Sequence, residues 1–371
     1  LISSGLPTWT NGDVIGSVIN YNTSQISFYK NNTFVVTRSF PSGVTSANAF
    51  PAIRNNTGQS ASCNFGQRPF AYTAPSGFKA LCTQNLPTPT IGASSTTLAS
   101  KYFNAVLYTG NGTTTGNTQA ITGVGFQPDF TWIKSRSSST YWNMLTDAVR
   151  GANKLIYSNA ADAEGSLTNV FNSFDSDGFT VSYNSAYTVA LPNANTATYV
   201  AWNWKANGAA STNTSGSITS NVSVSTTAGF SVVTYTGNAT AGATVGHGLG
   251  VAPKLIFVKS RSNAYNWCVY AKEANGGNGQ NGGVYLNLTD AWSSDSGFWN
   301  NTTAGSSTFT LGSGFAVNGS GATFVAYCFA EVTGFSKFGS YTGNGSTDGP
   351  FVYCGFRPRW ILFKLYNNST D

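Results

Sequence analysis

Short apolar runs, each closed by glycine, proline or an asparagine-glycine pair, recur along the whole chain. In residues 12–33, GDVIGSVINYNTSQISFYKNNT, apolar and polar positions alternate on both sides of a polar turn. A period of two is the mark of half-buried strands, so this stretch predicts a hairpin. Two further runs, TYVAWNW at 198–204 and TFVAYCF at 323–329, are almost continuously apolar and aromatic. They predict central strands buried on both faces. The expected class is all-β: tandem β-sandwich domains, SPRY-like or jelly-roll-like, with little helix.

The runs repeat. YTGN occurs at 108–111, 235–238 and 341–344. Pro128, Pro253 and Pro358 align, as do the strands that follow them, FTWIKSRS, LIFVKSRS and WILFKLYN. DGFTV at 177–181 is aligned with SGFAV at 313–317, and YVAWNW with FVAYCF. Copy A is therefore placed at 103–206 and copy B at 230–331. Each is about 100 residues long, too long for a solenoid unit and suited to a sandwich with its own core. Residues 91–102 and 207–229 are read as linkers, the second for its small polar composition. Copy C, 335–371, holds only the opening third of a unit. The expectation is a piece of a longer polypeptide.

Composition narrows the partners. Charged residues make up 9% of the 371 residues, far below the roughly 25% of ordinary domains. Hydrophobic residues reach 40% and aromatics 14%, so the chain has material for cores. The formal charge of +6 comes from 19 basic and 13 acidic residues with no like-charged block, which gives no sign of nucleic-acid binding. No apolar stretch is long enough to insert in a membrane as a helix. Five cysteines without a CxxC pair, and a single histidine, fit neither a zinc site nor a disulfide framework. No disulfide, metal or cofactor is expected.

The opening 90 residues, with GDVIG…SFYKNN and NFGQRPFAYTAPSGFKALCTQNLPTP, resemble the C-terminal half of a SPRY domain of the kind carried by bacteriophage virion proteins. Copies A, B and C resemble a repeated phage-borne domain of uncertain function found in tail fibres and other appendages. The carrying motifs are YTGNG, GFQPDFTWIKSR, Trp142, DAVRGANKLIYSN and DSDGFTV…TYVAWNWK. The resemblance implies a virion protein, extracellular on the tail or another appendage. Its partners would be other copies of itself in a homotrimer, other virion proteins and host surface polysaccharide. Most consistent is a non-enzymatic tail-fibre piece that spaces or contacts the host surface. A capsid decoration protein and a surface-glycan depolymerase are the alternatives.

Residues that carry chemistry are few. His247 lies in a Gly-rich turn without counterparts in the other copies and reads as a loop residue rather than a catalyst. Three glutamates in unrelated contexts do not form the paired carboxylates of a glycosidase. DSDG at 175–178 reads as an Asp-Gly turn rather than a calcium loop. Trp142 and Trp267 hold equivalent places and are expected in the core. Trp292 and Trp299, in the polar stretch NLTDAWSSDSGFWNN of copy B alone, are the candidate sugar platforms. Asp147 and Arg150, special to copy A, are the second candidates for glycan contact, or else a neutral surface pair.

Overall fold

A computed structural model describes residues 6–41, 60–81, 89–92, 94, 95 and 97–368. The chain divides into two compact units, residues 1–87 and 88–371. Both are built from strands, as the alternating and Gly-bounded runs require.

In the first unit β1 (Ile15–Asn20), β2 (Gln25–Lys30) and β3 (Thr33–Ser39) form an antiparallel sheet in that order. The predicted hairpin is β1–β2, with Ile15 opposite Lys30 and Asn20 opposite Gln25. Asp13 accepts from Lys30 Nζ at 2.9 Å and from Asn31 Nδ2 at 2.8 Å, fastening the strand ends. Among the described residues of this unit none is buried, and Trp9 and Phe34 are more than half exposed.

Copy A contributes β4 (Phe103–Thr109), β5 (Thr118–Ile121), β6 (Phe130–Ser135), β7 (Met144–Asp147), β8 (Lys154–Tyr157), β9 (Gly165–Ser166), β10 (Phe171–Asp175), β11 (Gly178–Ser182) and β12 (Thr198–Trp204). The large sheet runs β4-β12-β6-β7-β8-β9, and a smaller one runs β10-β11-β5. Ile133, Met144, Leu155, Tyr199 and Ala201 of the first pack against Ile121, Phe171, Phe179 and Val181 of the second. This is the sandwich core of copy A.

Copy B contributes β13 (Ser211–Asn213), β14 (Ser220–Ser225), β15 (Phe230–Thr236), β16 (Thr244–Gly246), β17 (Leu255–Ser260), β18 (Cys268–Ala271), β19 (Gly282–Tyr285), β20 (Ser293–Ser294), β21 (Thr308–Thr310) and β22 (Thr323–Phe329). Its large sheet is β13-β14-β15-β22-β17-β18-β19-β20, with β16-β21 as the smaller layer. From β15 onward the order repeats that of copy A. Lys134 faces Val200 in copy A, and Lys259 faces Val325 in copy B, so the register repeats as well.

Two sequence readings are corrected here. The segment read as the 207–229 linker supplies β13 and β14, which extend the sheet of copy B by two strands. Val222 is buried and Val224 half-buried at alternate positions of β14, a weak period-two signal masked by serine and threonine. DGFTV also does not correspond to SGFAV, because Phe315–Asn318 is a single helical turn. The true counterpart of Phe179 is Phe309. Phe179 lies 6.2 Å edge-on from Tyr108, and Phe309 lies 6.2 Å edge-on from Tyr235.

YTGN is a clasp on the end of β4 in copy A and of its counterpart β15 in copy B. Tyr108 Oη donates to Pro192 O at 2.8 Å, and Tyr235 Oη donates to Val317 O at 2.7 Å. The glycine follows because backbone runs against backbone: a Cβ on Gly110 or Gly237 would collide with the carbonyl oxygen of Ala194 or Gly319. The motif asparagine then donates its backbone N–H to a fully buried asparagine side chain, Asn111 to Asn193 and Asn238 to Asn318, both at 2.9 Å. Each buried asparagine spends its amide on backbone carbonyls, Asn117 O for Asn193 and Thr240 O and Gly312 O for Asn318. In copy C the third YTGN carries no such clasp, and Tyr341 is 56% exposed.

DSDG is the β10–β11 turn. Asp175 accepts from Ser173 and Thr180, and Asp177 accepts from the backbone N–H groups of Gly123 and Gly125. Of the cysteines, Cys63, Cys268, Cys328 and Cys354 are free thiols; Cys82 lies outside the described residues.

Candidate functional site

The large sheets of copies A and B meet in a shared core formed by Phe130, Leu145, Ile156 and Trp204 of copy A with Phe230, Val325, Tyr327 and Phe329 of copy B. Phe130 stacks on Tyr327 at 4.2 Å, which places the two central sheets in direct contact. Trp267 also reaches across, donating its indole N–H to Tyr157 O at 2.7 Å. Its counterpart Trp142 stays within copy A, edge-on to Tyr157 at 5.0 Å.

Charged groups lie inside this seam. Arg150 Nε contacts Asp147 Oδ2 at 2.5 Å, and both side chains are fully buried. The same guanidinium donates to Glu164 Oε2 at 3.0 Å, to Leu145 O at 3.2 Å and to Tyr327 Oη of copy B at 3.0 Å. Tyr327 Oη in turn donates to Asp147 Oδ2 at 2.8 Å. Arg261 of copy B closes the network with a bidentate grip on Glu164, at 2.9 and 3.0 Å. Two arginines, two carboxylates and a phenol thus satisfy one another across the seam.

The titrations follow from that arrangement. Burial works against the charged form of Arg150, but Asp147, Tyr327 and Glu164 outweigh it and hold the guanidinium protonated. Burial pushes the Glu164 carboxyl up, and the hydrogen bond from Arg261 with the charges of both arginines brings it below the ordinary value. Desolvation drives the Tyr327 phenol well above its usual range. Arg150, Glu164 and Tyr327 are thus each shifted away from neutral pH.

Asp147 and Arg150 are therefore neither a surface pair nor open to a glycan. They are the ionic lock between copies. Sequence reading missed their partners because Tyr327 is 177 residues beyond Arg150 and Arg261 is 97 beyond Glu164. Trp299 is likewise closed to sugar: it is 1% exposed and sits edge-on to Tyr270 at 5.7 Å in the core of copy B. The one-turn helix Ser296–Trp299, capped by Asp295 on Gly297 N–H, turns the indole inward. Trp292 is half-buried against the shared core, and its backbone N–H donates to Tyr366 O at 2.6 Å. No two of the candidate sugar platforms form an open stacking face.

His247 is buried and structural. Its Nδ1 accepts from Leu249 N–H at 3.2 Å and its Nε2 is 3.1 Å from Gly305 O, so Nε2 carries the proton. Burial lowers its pKa, against the smaller opposing effect of Gly305 O. Among the described residues no three histidine, cysteine or carboxylate side chains are grouped to hold a metal, and no helix is long and apolar enough to cross a membrane.

An open concavity lies elsewhere on copy A. A groove of about 690 Å³ is lined by Leu107, Val200, Trp202 and the run from Lys134 to Ser139. Lys134 and Arg136 are exposed along it, and no carboxylate lines it.

Comparison with known families accounts for both units. The SPRY domain family matches residues 3–68, within the first unit. No curated protein and no solved structure matches the chain. A single family spans residues 98–371, taking in copies A and B, the seam between them and the start of copy C. With most of its length inside that match, the chain belongs to the family described as a domain of unknown function, DUF7483.

Proposed function

We propose that this chain is a non-enzymatic structural protein of a bacteriophage virion, part of a tail fibre or similar appendage that spaces the host-contacting end from the particle. The observation that carries this reading is the seam. The buried Asp147–Arg150 pair, with Glu164 and Arg261, is the kind of charged cluster an enzyme would keep for substrate, and here it is spent on joining one copy to the next. Breaking such a buried pair costs about 3–5 kcal/mol, whereas an apolar replacement of the whole set would often be neutral, so its benefit is fixed register between modules. A spacer that bears load gains from fixed register between its modules. The low charge and dense serine, threonine and asparagine of the surface suit contact with polysaccharide, and such contact belongs to exposed loops rather than to the predicted tryptophan and ion-pair residues.

The test is to image phage particles carrying this chain with a specific antibody fragment. Density on a fibre supports the proposal, and density over the head replaces it with capsid decoration. Sugar release from host envelope extract by the purified chain would overturn the non-enzymatic reading and restore the depolymerase alternative.

A further inference from the structure

Among its described residues copy C forms no strands, yet its start is docked, and it is docked in a recognisable way. At the A–B seam Glu164 N–H donates to Arg261 O at 2.8 Å, and Trp292 N–H of copy B donates to Tyr366 O of copy C at 2.6 Å. Glu164 follows LIYSNAADA and Trp292 follows GVYLNLTDA at the same distance. Arg261 and Tyr366 each stand two residues beyond the aligned lysine, Lys259 or Lys364. Copy B therefore seats on copy C as copy A seats on copy B.

A second equivalence closes the circle. Phe130, two residues past Pro128, lies 4.2 Å from Tyr327 and 5.9 Å from Phe230. Trp360, two residues past Pro358, lies 6.3 Å from both Trp202 and Phe103, the copy A counterparts of those two rings. Arg359 adds a hydrogen bond to Asn104 of copy A at 3.4 Å. A seats on B, B on C, and C on A. A linear array would bring copy C against copy B alone, whereas contacts in cyclic order make a closed ring.

One seat in that ring stands open. In copy B the seat consists of Thr234, Lys259, Val325 and Tyr327, all buried, with Arg261 gripping Glu164. The same positions in copy A are Leu107, Lys134, Val200, Trp202 and Arg136, and they line the groove described above. Leu107 is 64% exposed, and the nearby Trp132, 6% exposed, has an indole N–H without a hydrogen-bond partner.

We propose that this groove is the seat for the later strands of a third repeat unit, the elements matching β7–β9 and the Glu164 turn. The three units then close a pseudo-threefold ring. The occupant is a strand-and-turn segment, absent from this structure, that offers a carboxylate to Arg136 and an aliphatic face to Leu107 and Val200.

The experiment completes the unit. Residues 137–206 of copy A are grafted behind Tyr366 of the full chain, in register with Arg136, and Leu107→Cys reports on the groove through maleimide labelling read by peptide mass. Labelling at position 107 is expected to slow at least tenfold in the extended chain while its mass stays that of a monomer. Arg136→Glu in the extended chain should return most of the rate. An unchanged rate in a folded graft overturns the proposal, as does protection that appears only in a dimer. So does protection of the 371-residue chain by an acidic oligosaccharide with none from the graft. Should the graft fail to fold, Trp360→Ala in the 371-residue chain decides: faster hydrogen exchange in β4 and β12 with the A–B seam unaltered supports the ring, and unchanged exchange overturns it.

Discussion

Lys134 and Lys259 stand at one register position in two copies of one sheet, and their surroundings are opposite. Lys134 is exposed at a groove, 3.4 Å from Asn143 Oδ1. Lys259 is wholly buried, its ammonium on Ser260 O at 2.8 Å and Asn263 O at 3.4 Å. Burial brings its pKa down to about 8, against the smaller opposing pulls of Asp162 and Cys268. The difference does not arise in the lysines or in the strands that carry them. It arises because copy A covers the face of copy B, while among the described residues the start of copy C reaches that face of copy A only in part, through Trp360 and Arg359, and leaves Lys134 exposed. A residue in a repeat is therefore set by its fold position and by its place in the order of copies, and the second can dominate.

The seam itself should give the largest effect. Arg150→Ala leaves Asp147 and Glu164 buried with part of their partners gone, and is expected to destabilise the repeat region by about 3–5 kcal/mol in urea unfolding. Arg136→Ala, at the position equivalent to Arg261 but at the open groove, is expected to stay within about 0.5 kcal/mol. Equal losses from the two would erase the comparison.

The lysines make the next test, through pH. The folded pKa of Lys259 lies below its unfolded value, so between about pH 8 and 10.5 the unfolded chain binds the extra proton. Lys259 therefore contributes a rise in stability with pH across that window, about 3 kcal/mol for a full shift, while the buried Cys268 and Cys328 thiols, whose pKa values burial raises, oppose it from about pH 9 upward. Lys259→Met should remove this rise, and Lys134→Met should leave it in place. A profile that Lys259→Met leaves unchanged would show that Lys259 is hydrated.

The clasp sharpens the same contrast. Asn193→Ala and Asn318→Ala each orphan a backbone N–H in a buried setting and should cost about 1–3 kcal/mol. Asn344→Ala, in the exposed third motif, should have no measurable effect on the melting temperature. Smallest of all is the surface pair Lys254–Glu273, 2.8 Å apart but more than a third exposed on both sides. Lys254→Ala is expected to change stability by less than about 0.5 kcal/mol, and less still at high salt.

The sequence by itself determined the class of fold, the repeat and its central strands. Period-two alternation and glycine-bounded runs are local, and strand formation obeys them. The equivalence of the KSRS strands was equally legible, since identical residues at one distance from the aligned prolines take one register. β14 was hidden because an edge strand needs few apolar residues, and alternate valines among serines resemble a linker. Phe179 was matched to Phe315 instead of Phe309 because GF recurs in DGFTV and SGFAV, and only ring packing on Tyr235 tells them apart.

Tertiary structure alone decided the fate of the chemistry. Asp147, Arg150, Trp292 and Trp299 looked available because polar neighbours in sequence suggest solvent. Their exposure was set instead by residues distant in sequence, 29 positions away for Trp299 on Tyr270, 74 for Trp292 on Tyr366 and 180 for Asp147 on Tyr327. Burial is a property of the assembled faces, and a one-dimensional pattern does not say which copy will cover which.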